Sequence, residues 1–111
     1  MNADKRRSRS RRLIDIAKVI RSKNSGPYEL TLDIMFKDKT TYERFKRRRI
    51  INRKMISKLY GMPKKDILGI IYFEPAKAVK ITIRRLIPSG SPGDSDIYGA
   101  QQHAPLLYLK I

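Results

Sequence analysis

Apolar and polar residues alternate most regularly between Tyr28 and Phe36. Tyr28, Leu30, Leu32, Ile34 and Phe36 share one face, and Glu29, Thr31, Asp33 and Met35 share the other. That period predicts a strand with one buried side. Ile67–Phe73, ILGIIYF, is apolar on both faces, as a central strand covered on both sides would be. In Val79–Arg85, Val79, Ile81 and Ile83 alternate with Lys80, Thr82 and Arg84, and Glu74–Lys77 before them reads as a turn. A last alternation, Leu107, Leu109 and Ile111 against Leu106, Tyr108 and Lys110, predicts a fourth strand.

Between the strands the period changes. Leu13, Ile16, Ala17 and Ile20 fit helical spacing, and Asn24-Ser25-Gly26-Pro27 supplies a cap and a stop. Residues 12–23 are therefore expected to be a helix, with a strand as the alternative. Asp38–Arg49 reads as a second helix, with Thr40 and Glu43 at capping-box spacing and Tyr42, Phe45 and Arg49 or Ile50 inward. Asn52 caps a third, with Met55, Ile56, Leu59 and Tyr60 inward and Gly61 and Pro63 as the stop. The order predicts an α+β fold, a single domain over residues 12–111. It is a four-stranded mixed sheet with helices packed on one face. The expected core holds Leu30, Leu32, Ile34, Phe45, Ile56, Leu59, Ile70, Ile71 and Ile81.

Two segments lie outside this pattern. Residues 1–11 read as a disordered basic tail. Residues 86–105, LIPSGSPGDSDIYGAQQHAP, hold three of the six prolines and the only histidine. Loops longer than about 12–15 residues are uncommon in compact domains unless they are functional or disordered. Leu86, Ile97, Tyr98 and Ala100 argue against a solvated linker, so this loop is expected to be ordered by its own packing, a ligand or a partner.

Charge sharpens the picture. Lys and Arg number 26 against 10 acids, a net charge of +16. Residues 1–12 carry six cations against one acid and residues 37–65 twelve against two, while the remainder is nearly neutral. Such a concentration suits nucleic acid or another polyanion, through Arg44, Arg47, Arg48, Arg49, Arg53 and Lys54. A solvated helical face fits the same residues. Tyr42, Phe45 and Tyr60 fall on the core stripe rather than beside the cations, and no helix-turn-helix, zinc-finger or RNP signature is present.

Other chemistry is narrowed further. There is no cysteine, which excludes disulfides and thiolate metal sites, and one histidine cannot form a histidine cluster. Asp94 and Asp96 lack the spacing of a calcium loop, so no metal is expected. Asp96 and His103 could form an acid–base pair with Ser89, Ser91 or Ser95, but nothing in their spacing fixes it. No cofactor fingerprint is present. Apolar runs are too short for a membrane span and no secretory signal is visible, so a cytoplasmic protein without membrane contact is expected.

Two polar, glycine-containing turns remain, Ser22–Gly26 and Ser89–Asp94. Both offer backbone N–H groups and hydroxyls to an anion. They are expected to meet in one ligand or partner site. Arg21, Ser22, Lys23 and Asn24 would lie on one side. Ser89, Ser91, Asp94, Asp96, Tyr98, Gln101, Gln102 and His103 would lie on the other, over an apolar floor from Tyr98 and Tyr72. The plainer alternative is that the loop covers a sheet edge and Asn24 caps a helix.

Taken together, IAKVIRSKNSGPYELTLDIMF, ILGIIYFEPAKAVKITI and IPSGSPGDSDIYGAQQHAPLL resemble one family over residues 13–111. It is the small uncharacterised domain found beside, or fused to, AtuA-type proteins of acyclic terpene utilisation. The resemblance implies an accessory subunit or interaction domain in catabolism of branched acyl or hydroxy acids, carried as CoA thioesters. Its partner would be an AtuA-like protein or another enzyme subunit, and a homo-oligomer is compatible with that. The basic tail and arginine-rich helix are not part of the family pattern. Polyanion binding is therefore the alternative function, and an independent enzyme activity ranks third.

Overall fold

The alternating run of residues 29–36 is an inner strand of a four-stranded sheet in the computed structural model, which describes residues 12–85, 104–107 and 109–110. In chain order the elements are α1 (Leu13–Ile16), β1 (Ala17–Gly26), β2 (Glu29–Phe36), α2 (Lys39–Arg48), α3 (Arg53–Tyr60), β3 (Ile67–Phe73), β4 (Ala78–Arg84) and α4 (Ala104–Leu107). Single 3₁₀ turns span Lys64–Asp66 and Glu74–Ala76. The strand order is β1-β2-β4-β3, and every neighbouring pair is antiparallel. The fold is α+β, as expected, but the sheet is not mixed. β2 and β3 run the same way, yet β4 lies between them, so no parallel pair is hydrogen-bonded.

Three elements differ from the sequence reading. The helix expected over residues 12–23 lasts one turn, and from Ala17 the chain is a strand. Val19, Ile20, Ser22, Asn24 and Ser25 are indifferent helix formers, and the strongly alternating β2 offers a complete ladder to pair with. Asn24–Pro27 then serves the β1–β2 connection instead of a helix cap, with Gly26 at φ 153°. The expected C-terminal strand is the short helix α4 followed by an isolated bridge between Lys110 and Arg12. Leu109 N–H bonds back to Leu106, and Leu109 accepts from Leu13 N–H at 2.7 Å, so the segment docks on α1. Finally β3 is an edge strand, not a central one, and Ile71, expected in the core, is 60% exposed.

The helices cover one face of the sheet. Leu30, Leu32, Ile34 and Phe36 of β2, Val79, Ile81 and Ile83 of β4, and Ile67 of β3 point into the core. Tyr42, Phe45, Ile51 and Ile56 meet them from above, joined by Leu13 and Leu106. Leu59 and Ile70 pack at the core's margin. The Phe36 and Phe45 rings lie 4.5 Å apart and tilted, a favourable aromatic geometry. Tyr72 turns its hydroxyl under the helices, where it donates to Ile51 O and accepts from Ile51 N–H.

Local signals set the helix ends. Asp38, not Thr40, is the N-cap of α2: its carboxylate accepts from Thr41 N–H at 2.7 Å, and that bond holds its carboxyl below the usual range. The helix therefore begins earlier than the capping-box spacing suggests. Asn52 caps α3 as expected, accepting from Met55 N–H at 2.9 Å, and Gly61 closes it at φ 63°. Asn52→Ala removes the only side-chain acceptor at that terminus and is expected to lower the unfolding free energy by about 1 kcal/mol. Urea denaturation checks this, and an unchanged midpoint would show that the α3 terminus is held by packing alone.

Candidate functional site

Because residues 17–26 form a strand, alternation splits the first polar motif between two faces. Ser22 and Asn24 pair with Leu32 and Leu30 and lie on the helix-covered face, whereas Arg21 and Lys23 pair with Asp33 and Thr31 on the opposite, open face. Ser22 is buried. Asn24 Oδ1 accepts from Arg85 Nη1 at 2.6 Å, so this asparagine ties the end of β1 to the end of β4. Arg85 N–H also bonds Tyr28 O at 2.7 Å. Tyr72, expected as part of an apolar floor, lies on the covered face beneath α2. Ser89, Ser91, Asp94, Asp96, Tyr98, Gln101, Gln102 and His103 lie outside the described residues, as does the tail 1–11.

The open face has a charged centre that the sequence reading did not single out. Cross-strand register sets Arg21, Asp33, Lys80 and Ile71 in one row across all four strands. Asp33 is 1% exposed, although among the described residues no helix lies over it. Its Oδ2 accepts from Arg21 Nε at 3.1 Å, and its Oδ1 faces Lys80 Nζ at 3.7 Å without accepting a hydrogen bond. The two cations keep about half or more than a third of their side chains in water (50% and 39%). A carboxylate removed from water costs several kcal/mol unless it is paired, so the flanking cations are what permit it there. The neighbouring row holds Val19, Met35, Ala78 and Phe73. The face therefore presents cations beside an apolar strip.

The basic residues of the middle segment lie elsewhere, on the helical layer. Arg47, Arg48, Arg49, Arg53 and Lys54 are exposed and Arg44 is half-buried, its Nε without a hydrogen-bond partner. Arg49 lies 5.9 Å above the Tyr72 ring, and Arg53 Nε donates to Ile67 O at 3.2 Å. Lys46 pairs with Glu74 at 3.1 Å, which raises the ammonium's pKa. Beneath them the Tyr42 hydroxyl is buried without a partner, and burial pushes its pKa up. Among the described residues no three carboxylates or imidazoles converge on a metal position, and no helix is long and apolar enough to cross a membrane.

These features define a small α+β domain with one helix-covered and one open sheet face, the open face bearing a buried ion cluster. A family model described as Domain of unknown function (DUF4387) matches residues 13–110. The chain belongs to that family. No match was found among curated proteins or solved structures.

Proposed function

We propose that this chain is an accessory domain that docks, through the open face of its sheet, on an AtuA-type enzyme acting on branched acyl or hydroxy acids carried as CoA thioesters. The observation that carries the reading is Asp33. An ion cluster on a face that no described helix covers adds little to folding, since a well-packed apolar residue there is commonly as good or better. It does orient Arg21 and Lys80, and with Lys23 they leave the face positively charged beside an apolar strip. Arginine amid apolar surface is the composition of interface centres, and the matching surface is acidic. The resemblance of RSKN and its surroundings to AtuA-associated domains supports the same partner.

Asp33→Val separates docking from folding. Arg21 and Lys80 remain in contact with water, so no buried charge is stranded. Thermal stability of the variant is expected to be unchanged or raised. Co-purification with the AtuA-type enzyme of the same genome should fall sharply. A variant that unfolds at markedly lower temperature and still co-purifies would make the cluster structural.

A second reading, polyanion binding by the helical layer, is favoured by Arg53 and Lys54. They occupy the first turn of α3, which has no acid. Cations at a helix N-terminus oppose the macrodipole by roughly 0.3–1 kcal/mol each. Arg47 and Arg48, by contrast, sit at the C-terminal end of α2, where cations are stabilising. Arg53 also ties α3 to β3 through Ile67 O, so Lys54 is the cation of this pair whose place folding explains least.

A further inference from the structure

We propose that β3 pairs with β3 of a second copy of this chain, antiparallel about a two-fold axis at Ile71, so that two four-stranded sheets become one. The inference goes beyond accessory docking, because it uses the sheet edge and leaves Arg21, Asp33 and Lys80 uncovered.

Three observations carry it. First, β3 is an edge strand, and among the described residues no strand pairs with its outer side. Natural edges are blunted with charges, prolines or bulges; residues 67–73 contain no charge or proline, and the register shift of β3 lies at its Ile67–Gly69 end, leaving Gly69–Phe73 regular. In a chain of net charge +16 this is a neutral strip where two copies can approach. Second, Leu68, Ile71 and Phe73 are 37%, 60% and 42% exposed. Third, Gly69 follows the register shift at Ile67, and from Gly69 to Phe73 the pairing is regular. A Cβ added at Gly69 would meet nothing within 4 Å, so there is open space beside it.

A two-fold axis at Ile71 fills that space. Antiparallel register about this residue sets each Phe73 opposite the partner's Gly69, large against absent, on both sides of an Ile71–Ile71 contact. On the covered face the same register sets Tyr72 opposite the partner's Ile70, both of which border the core. The interface is self-complementary, as two-fold symmetry requires.

The test is sedimentation equilibrium of the full chain at about 100 μM, a concentration at which even a weak dimer is populated. The wild type is expected to be a dimer, and one that tightens as salt rises, because the rest of the surface repels its copy. Ile71→Lys sets two like charges across the axis and should give a monomer with an unchanged melting temperature. The register is read with cysteines, which the chain otherwise lacks. Directly opposed antiparallel residues have Cα atoms about 4.5–5.5 Å apart, within disulfide reach. Ile71→Cys should therefore crosslink on oxidation, as should a Gly69→Cys, Phe73→Cys double variant. Phe73→Cys alone should not, its two copies lying about 13 Å apart along the strands. A monomeric wild type, a dimer that survives Ile71→Lys, or crosslinking by Phe73→Cys alone would overturn the proposal.

Discussion

Phe45→Ala is expected to lower the unfolding free energy by about 3–5 kcal/mol, the range for deleting a buried aromatic ring. Phe45 is 1% exposed, and its ring packs tilted against Phe36 with centroids 4.5 Å apart, so the ring joins α2 to the end of β2. Alanine leaves a cavity bordered by two structural layers that cannot close over it. Domains of this size are stable by only about 5–15 kcal/mol, so the variant should lose a large part of its margin. Ile71→Ala is the control within the monomer: a side chain 60% exposed contributes little to the core, and a change within about 0.5 kcal/mol is expected under dilute, monomeric conditions. Urea titrations of both variants decide the matter. Equal losses would mean that β3 is buried on both faces after all.

The second large effect concerns the basic helical layer. If Arg53, Lys54 and their neighbours hold phosphates, affinity for a nucleic acid duplex should fall by about a thousandfold between 50 and 200 mM salt, as several released counterions require. Arg53→Ala with Lys54→Ala should flatten that slope by roughly two contacts. Fluorescence anisotropy with a short duplex measures both. Binding that is absent at 50 mM salt, or insensitive to salt, would leave these cations as a solvated face. The contrast with self-pairing is useful, since added salt should weaken duplex binding and strengthen the dimer.

Much of the fold was legible because alternation and capping are local. Residues 29–36 and 78–84 carry period-two patterns that only a one-sided strand satisfies, and Asn52 and Gly61 mark α3 at both ends. The misreadings arose where a local signal had two solutions. Leu13, Ile16, Ala17 and Ile20 fit helical spacing, but β2 offered the chain a partner along its whole length, and pairing won. An apolar run such as ILGIIYF is expected of a buried strand, and equally of an edge strand whose second face is used by another molecule. Strand order, which sequence does not carry, separates the two.

The candidate site was legible only in part, for the same reason. Arg21 and Lys23 were identified as functional, but a helical reading gave them Ser22 and Asn24 as neighbours. In a strand they belong instead with Asp33 and Lys80. Reading a hairpin turn at Asn24–Pro27 would not have sufficed, because counting outward from Gly26 and Glu29 sets Arg21 opposite Ile34; the register shift between Asn24 and Gly26 is what brings Asp33 opposite. Arg85, which holds Asn24, gave no signal at all, since its partner is 61 residues away.

Calorimetric titration of the full chain into the AtuA-type enzyme tests the docking role most directly, with Lys23→Glu beside the wild type. Lys23 is exposed on the same face and lies opposite Thr31, so reversing its charge leaves Asp33 paired with Arg21 and Lys80. The expected result is saturable binding by the wild type and a loss of at least about tenfold for the variant, the equivalent of about 1.4 kcal/mol. No heat of binding for the wild type, or equal affinity for both, would contradict docking through this face.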